Sequence, residues 1–219
     1  GCYGYTGRLI TEHAAAQKIP VLLCGRNPEK VKEVEQQTGF PGVYASLDDA
    51  SALDSVLKEV DVVIHCAGPF ADTWQAMAEA CLRTGTHYLD ITGEIEVFEA
   101  LAALDESAKR ANVMLLPGAG FDVVPTDSVA ASLKAALPDA THLELAFRSL
   151  GGGTSHGTAS TMVRSLGEGS LVRRNGKIVA HAAGKPALKA NFGKGPRPVY
   201  GIPWGDVSTA WYTTGIPNI

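Results

Sequence analysis

The sequence lacks several patterns that would place it in common functional classes. Its formal net charge is −4, from 19 basic and 23 acidic residues, so it has no basic excess to attract nucleic acid or an anionic membrane. No apolar run approaches the ~20 residues that a membrane-spanning helix requires, and the sequence does not open with a charged segment followed by an apolar core, so a signal peptide is not expected. We therefore expect neither nucleic acid nor a membrane as a partner.

The sequence also lacks the spacings of a metal site or a disulfide framework. Its four cysteines, Cys2, Cys24, Cys66 and Cys81, form no Cys-x-x-Cys pair, and its six histidines are scattered without a His-Glu-x-x-His motif. Cysteines within apolar runs behave as small hydrophobic residues. These features predict free thiols, no bound metal and a cytoplasmic location.

Two enzyme signatures are absent or incomplete. None of the six tyrosines precedes a lysine by four residues, which argues against a short-chain dehydrogenase. Residues Gly153–Gly157 match the Gly-x-Ser-x-Gly motif of hydrolases. However, no histidine follows Asp206, and Glu168 is the one acid between Ser155 and His181. A glycine-rich loop is therefore the favoured interpretation of this segment.

Residues 5–137 alternate short apolar runs with helical periodicity, a pattern typical of βαβ units that build a parallel sheet. Buried strands are predicted at residues 20–24, 60–66, 88–91 and 113–116. Helical apolar faces are predicted between them, including one with Asp48 and Asp49 at its start and one entered through Pro125 and Thr126. A further single helix is expected from the spacing of Val97, Leu101, Leu104 and Ala108.

The chain is thus expected to be an α/β protein with two domains. Residues 1–137 form a Rossmann-type parallel sheet whose first strand is missing, because Gly1 opens a glycine-rich turn that normally follows a strand. Residues 138–219 form part of a second, α+β domain, and both ends of a longer protein are expected to be absent. This domain should contain a strand at Thr141–Arg148, a helix at 158–166 and a hairpin turning at Asn175–Gly176.

A nucleotide site is indicated by glycines at positions 1, 4 and 7. This spacing is related, though not identical, to the Gly-x-Gly-x-x-Gly fingerprint of dinucleotide-binding folds. Glycines let the backbone approach a pyrophosphate, and the N–H groups that begin the following helix stabilise its negative charge. We therefore assign Gly1, Gly4, Tyr5, Thr6 and Gly7 to the cofactor site.

The expected ribose position carries Arg26 and Asn27, about 20 residues beyond the glycines. An acidic residue there would favour NAD, whereas a guanidinium favours the 2′-phosphate of NADP. No acid occurs before Glu29, so NADP is the expected cofactor and NAD the less favoured one. The alternative is that Arg26 is only a solvated turn residue.

Small residues follow the third predicted strand, at Ala67, Gly68 and Pro69. This position is the carboxyl edge of the sheet, where ligands bind in open α/β folds. The three residues are expected to lie against the nicotinamide half of the cofactor. An ordinary strand-to-helix turn is compatible with the same residues.

Several of these stretches resemble the saccharopine dehydrogenase-like oxidoreductases, which include trans-acting enoyl reductase-like proteins. The resemblance runs through residues 4–7, 25–26, 66–69, 85–94 and 118–127, and more loosely through residues 203–210. It implies an NAD(P)-binding Rossmann domain joined to an α/β domain that carries the substrate surface. It does not fix the substrate, because likeness of fold does not transfer a reaction.

Hydride transfer requires an acid or base near the nicotinamide, and the candidates are Asp90, Glu94 and Asp122. Each has a purely structural alternative: Asp90 could cap a turn, Glu94 could cap a helix and Asp122 could hold a loop in place. The expected function is NADP-dependent hydride transfer to or from a C–N, C–O or C–C bond of a small metabolite. A non-catalytic NADP-binding sensor or scaffold explains the same glycines, and a homodimer is left open.

Overall fold

The structure is a computed structural model that describes residues 1–148, 151, 169–181 and 186–219. Contacts divide the chain into two compact units. Unit 1 comprises Gly1–Ile91 and Ala100–Pro117, and unit 2 comprises Thr92–Glu99 and Gly118–Ile219. These units are defined by contacts between residues and are not the predicted domains. The domain boundary expected after residue 137 stays a prediction.

Unit 1 alternates helices and strands along the chain. In order, its elements are α1 (Tyr5–Gln17), β1 (Leu23–Gly25), α2 (Pro28–Thr38), β2 (Gly42–Tyr44), α3 (Ala50–Leu57), β3 (Val62–His65), α4 (Phe70–Thr84), β4 (His87–Asp90), α5 (Ile95–Ala102, which begins in unit 2), α6 (Asp105–Ala111) and β5 (Leu115–Leu116).

Every strand pair in unit 1 is parallel. Strand β1 pairs with β2, and β4 lies between β3 and β5. The register places His65 opposite Asp90 at the carboxyl ends of β3 and β4. The predicted α/β class with parallel strands is confirmed, although the observed strands are shifted or shortened by a few residues at their ends.

Local sequence signals explain where the helices of unit 1 begin and end. The Asn27 side chain accepts a hydrogen bond from the Lys30 N–H, and Pro28 occupies the first turn of α2, where a missing N–H costs nothing. Asp49 caps α3 in the same way, whereas Asp48 does not. Helix α4 ends at Gly85, whose φ of 80° suits glycine.

One helix prediction in this region is wrong. The expected single helix through Val97 and Ala108 is split into α5 and α6, with Leu104 between them. There the Leu104 N–H donates to the Leu101 carbonyl at 3.0 Å, an i to i+3 contact that interrupts the α-helical ladder. Because the residues on both sides are good helix formers, the sequence gives no sign of the break.

Unit 2 contains α7 (Val124–Ala136), the antiparallel pair β6 (Ser170–Arg174) and β7 (Lys177–His181), the antiparallel pair β8 (Pro186–Asn191) and β9 (Pro196–Tyr200), and α8 (Asp206–Thr214). Helix α7 packs on α8 around Ala130, Leu143, Ala210 and Ile216. Pro125 lies in the first turn of α7, as predicted.

The hairpin at Asn175–Gly176 is confirmed. Both residues have positive φ, 49° and 78°, as a type I′ turn requires, and they join β6 to β7. The β8–β9 hairpin was not anticipated from its glycine- and proline-rich sequence.

The strand predicted at Thr141–Arg148 is wrong. Among the residues that the structure describes, its one bridge is that between His142 and Asn218. The Asn218 side-chain N–H donates a 2.9 Å hydrogen bond to the Thr141 carbonyl, so this carbonyl is bonded to a side chain and not to the backbone of a neighbouring strand. The helix predicted at 158–166 and the Gly153–Gly157 motif lie outside the described residues.

Within the described part of the chain, no helix has the length and apolar content needed to cross a membrane. The same residues hold no cluster of three or more histidine, cysteine or acidic side chains suited to a metal ion. All four cysteines are free thiols. Burial raises the pKa of each, to about 12 for Cys81.

Candidate cofactor-binding site

The glycine turn of unit 1 is built so tightly that two of its glycines have no room for a side chain. A Cβ on Gly1 would lie 2.6 Å from the carbonyl carbon of Cys66, and one on Gly7 would overlap the Gly1 carbonyl oxygen. A Cβ on Gly4 would meet only ordinary contacts, 3.4 Å from the Gly1 oxygen. Packing therefore requires glycine at positions 1 and 7 but not at position 4.

The turn leads directly into α1, whose start suits an anion. Gly4 is the N-cap residue in an extended conformation, and no side chain caps the helix. The first turn contains no acidic residue, and Tyr5, at its start, is 72% exposed. An uncapped helix start presents N–H donors and a partial positive charge, the features that bind phosphate groups.

Arg26 follows β1 and is exposed. Within residues 1–148, 151, 169–181 and 186–219, no hydrogen bond or ion pair engages its guanidinium group. Arg8, by contrast, binds Glu33 and Gln37 at 2.8 and 2.9 Å. Arg26 is therefore a cation available to an external anion, whereas the guanidinium of Arg8 is used to join α1 to α2.

Asn27, the neighbour of Arg26, has a structural role. Its side-chain oxygen caps α2 by accepting from the Lys30 N–H at 3.0 Å. The assignment of Asn27 to the cofactor site stays a prediction. Because its side-chain oxygen caps α2, that hydrogen bond would have to remain when a ligand is bound.

The loop after β3 carries Ala67, Gly68 and Pro69, with Gly68 exposed and the Gly68–Pro69 peptide bond cis. It lies beside the glycine turn, because the missing side chain of Gly1 leaves room for the Cys66 carbonyl. Thr73, in the first turn of α4, donates toward the carbonyls of Ala67 at 2.7 Å and Pro69 at 3.1 Å. The loop and the glycine turn thus adjoin each other in unit 1.

Of the three candidate acids, Asp90 is the one in unit 1, at the end of β4. It is fully buried, and its Oδ2 accepts a hydrogen bond of 2.6 Å from the Tyr88 hydroxyl. Burial is the main cause that raises the pKa of the Tyr88 hydroxyl, and the charge of Asp90 is the second. The hydroxyl therefore keeps its proton. This arrangement favours a structural role for Asp90, and its catalytic role stays a prediction.

Glu94 and Asp122 both lie in unit 2. The Glu94 carbonyl accepts from the N–H groups of Val97 and Phe98 at the start of α5. An Asp122 carboxylate oxygen lies 2.7 Å from the place where a Cβ of Gly93 would be, next to Glu94. Burial raises the pKa of Asp122. Their expected roles as acid or base stay predictions.

Two features of the structure were missed by sequence reasoning. The first is the buried His65, whose Nε2 atom lies 3.0 Å from the hydroxyl oxygen of Thr73. In unit 2, Asp206 is 3% exposed, and both of its carboxylate oxygens are buried, with the Thr126 side chain nearby. Burial raises the Asp206 pKa to about 6. The burial of His65 could have been suspected because this histidine ends an apolar strand. Nothing in the sequence indicated the burial of Asp206.

Comparison with known proteins gives a family match over the region of this site. A family model, the saccharopine dehydrogenase NADP binding domain, matches residues 1–116. Similar relatives are a saccharopine dehydrogenase-like oxidoreductase from Mus musculus, 29% identical over 147 residues, and a trans-acting enoyl reductase from Mycobacterium leprae, 30% identical over 135 residues. Each alignment covers 58% of this chain, but only 34% and 32% of the respective relative.

A solved structure agrees with this family at the level of fold. Apo saccharopine dehydrogenase (L-Glu forming) from Saccharomyces cerevisiae matches with a TM-score of 0.61 at 15% identity. The match covers 90% of this chain and 47% of the yeast chain. Since the family model spans more than half of the chain and includes the glycine turn, Arg26 and the Ala67–Pro69 loop, this chain belongs to the saccharopine dehydrogenase NADP-binding-domain family.

Proposed function

We propose that this chain binds NADP through unit 1 and is part of an NADP-dependent oxidoreductase. The reaction would be hydride transfer to or from a C–N, C–O or C–C bond of a small metabolite. The observation that carries the proposal is the glycine turn of residues 1–7. Its packing excludes side chains at Gly1 and Gly7, and it opens onto the uncapped, acid-free start of α1.

Each part of NADP has a chemically suitable counterpart in unit 1. The pyrophosphate fits the N–H groups at the start of α1. The 2′-phosphate fits Arg26, because that guanidinium is exposed and not engaged by another described side chain. The nicotinamide half fits the small-residue loop at Ala67, Gly68 and Pro69. When bound, the cofactor would supply or accept the hydride.

Glycine at position 4 gives independent support for a ligand at this turn. The space around Gly4 admits a Cβ, and its φ of −71° is open to any residue. The fold therefore does not require glycine there. A ligand that approaches the backbone closely would require it, which is the role that such glycines have in dinucleotide-binding folds.

The experiment that tests the proposal is a calorimetric titration of the full-length protein with NADPH and with NADH at fixed salt. We expect NADPH to bind more tightly. Arg26→Asp should shift the preference toward NADH, because an aspartate repels the 2′-phosphate and can accept from ribose hydroxyls. Arg110→Asp, an exposed arginine on α6 in the same unit, is the matched control for the charge change.

The outcomes separate the two levels of the proposal. If neither nucleotide binds, the glycine turn is only structural and the proposed function is wrong. If both bind but Arg26→Asp leaves the NADPH-to-NADH affinity ratio unchanged, the assignment of Arg26 is wrong. A change in the redox state of bound cofactor on addition of a carbonyl or imine substrate supports an enzyme, whereas protection without turnover supports a sensor or scaffold.

A further inference from the structure

A buried polar chain lies behind the Ala67–Pro69 loop. It begins at His65, the last residue of β3, which is 2% exposed. The His65 Nε2 atom lies 3.0 Å from the Thr73 hydroxyl. That hydroxyl in turn lies 2.7 Å from the Ala67 carbonyl and 3.1 Å from the Pro69 carbonyl.

The direction of these hydrogen bonds follows from the chemistry of the groups. Carbonyl oxygens only accept, so the single hydroxyl proton of Thr73 is directed to them. The Thr73 oxygen can then only accept from His65, and Nε2 of His65 must carry a proton. Burial lowers the pKa of His65 to about 3, so the imidazole is neutral and Nδ1 is unprotonated at neutral pH.

The surroundings hold the His65 ring in this orientation. The Phe70 ring packs edge-on at a centroid distance of 5.6 Å, and the Tyr88 ring lies at 6.1 Å. A fixed imidazole gives the Thr73 hydroxyl a fixed donor. Two carbonyls of the loop are consequently turned inward to Thr73, and Gly68 between them is left exposed.

We propose that Thr73, oriented by His65, is a positioning residue for the nicotinamide half of NADP. The inference rests on the proposed function, since it assumes that the Ala67–Pro69 loop receives that half of the cofactor. Thr73 does not touch the cofactor itself. It fixes the backbone against which the nicotinamide and its ribose lie, while the adenosine half is held separately by the glycine turn and Arg26.

The test compares two ligands and two variants. NADP⁺ carries both halves of the cofactor, whereas adenosine 2′,5′-bisphosphate lacks the nicotinamide half. Thr73→Val removes the hydroxyl at nearly constant volume, and Thr73→Ser keeps it. We expect Thr73→Val to weaken NADP⁺ binding by about 3- to 10-fold, the effect of one lost hydrogen bond, and to leave the bisphosphate within about 2-fold of wild type. Thr73→Ser should retain wild-type affinity for both ligands.

The ratio of the two affinities is the decisive quantity, because general damage to the fold would weaken both ligands together. If Thr73→Val changes both affinities equally, or changes neither, the positioning role is wrong although the cofactor site stands. If wild-type protein binds neither ligand, the proposed function is itself wrong.

A second measurement does not depend on a variant. Long-range ¹H–¹⁵N correlation spectra of the His65 ring should show the Nε2–H tautomer throughout pH 5–8 in the full-length protein. An Nδ1–H tautomer, or titration of His65 within that range, would overturn the proposed chain of hydrogen bonds.

Discussion

The Tyr88 hydroxyl donates a 2.6 Å hydrogen bond to the carboxylate of Asp90, and both side chains are fully buried in unit 1. The two residues lie two positions apart on β4, so their side chains share one face of the strand. A buried carboxyl that loses a hydrogen-bond donor keeps its full desolvation cost. The hydrogen bond between Tyr88 and Asp90 therefore stabilises the carboxyl end of β4.

Removing the Tyr88 hydroxyl should measure this contribution. We expect Tyr88→Phe to lower the free energy of unfolding by about 1–3 kcal/mol, because the Asp90 carboxyl loses this donor. Tyr44→Phe is the control, since Tyr44 is 57% exposed on β2 and should change stability by less than about 0.5 kcal/mol. Urea denaturation followed by circular dichroism gives both values. Equal stability of the two variants would contradict a structural role for the pair.

The glycine turn offers a matched pair of variants. Gly7→Ala would drive a methyl group into the Gly1 carbonyl oxygen, so we expect a loss of stability of several kcal/mol and no NADPH binding. Gly4→Ala has room for its methyl group. It should fold with stability within about 1 kcal/mol of wild type but bind NADPH at least about 10-fold more weakly, because the methyl group stands where the pyrophosphate approaches.

Thermal unfolding and calorimetry on the same samples separate these effects. The ligand interpretation of Gly4 would be wrong if Gly4→Ala bound NADPH as tightly as wild type. The steric interpretation of Gly7 would be wrong if Gly7→Ala unfolded at the wild-type temperature.

Features with a local physical cause could be predicted from the sequence. The Asn175–Gly176 turn follows from the need for two positive φ angles, and the start of α3 follows from the capping ability of Asp49. The alternation of helices and parallel strands in unit 1 follows from the apolar periodicity, except that β2 was not among the predicted strands. These signals are contained within a few neighbouring residues, so one sequence suffices to read them.

Features that depend on distant partners could not be predicted. The missing strand at Thr141–Arg148 depends on which distant segments of the chain lie beside it. The burial of Asp90, suggested as a catalytic acid, depends on the packing around β4. The link from His65 to the Ala67–Pro69 loop through Thr73 requires side-chain distances that residue spacing does not contain.

An ion pair between a buried arginine and a partly exposed glutamate in unit 2 yields a further prediction. Arg173 is 4% exposed and binds Glu99 at 2.7 Å, and it also donates to the carbonyls of Val207 and Gly176. Glu99→Gln would leave this buried cation without its counter-charge. Because Glu99 itself is 37% exposed, water compensates in part, and we expect a loss of about 1–3 kcal/mol of stability rather than the full cost of a buried charge.

Glu96→Gln on the same helix is the control for the Glu99 variant, since Glu96 is exposed. Chemical denaturation should show that Glu96→Gln has the same free energy of unfolding as wild type. An equal effect of the two substitutions would mean that the ion pair does not contribute to the stability of unit 2.

Asp206 should make the protein less stable as pH rises through the mildly acidic range. Burial raises its pKa in the folded state to about 6, against the opposing effect of a hydrogen bond from the Thr126 side chain, and the nearby charge of Asp127 also raises it. Between about pH 4 and 6 the folded state keeps a proton that the unfolded state releases, so the contribution of Asp206 to stability is fully present below about pH 4 and is lost as the pH rises to about 6. The difference between about 6 and the ordinary aspartate pKa of about 4 corresponds to about 3 kcal/mol.

This dependence can be isolated by comparing denaturation curves of wild type and Asp206→Asn from pH 3.5 to 7.5. The stability difference, wild type minus variant, should fall by about 3 kcal/mol across pH 4–6 and be constant above pH 7, because only the wild type has a carboxyl to ionise there. Asp139→Asn, at an exposed position after α7, should show no such fall. A difference that stayed constant with pH would mean that Asp206 ionises equally easily in the folded and unfolded chain.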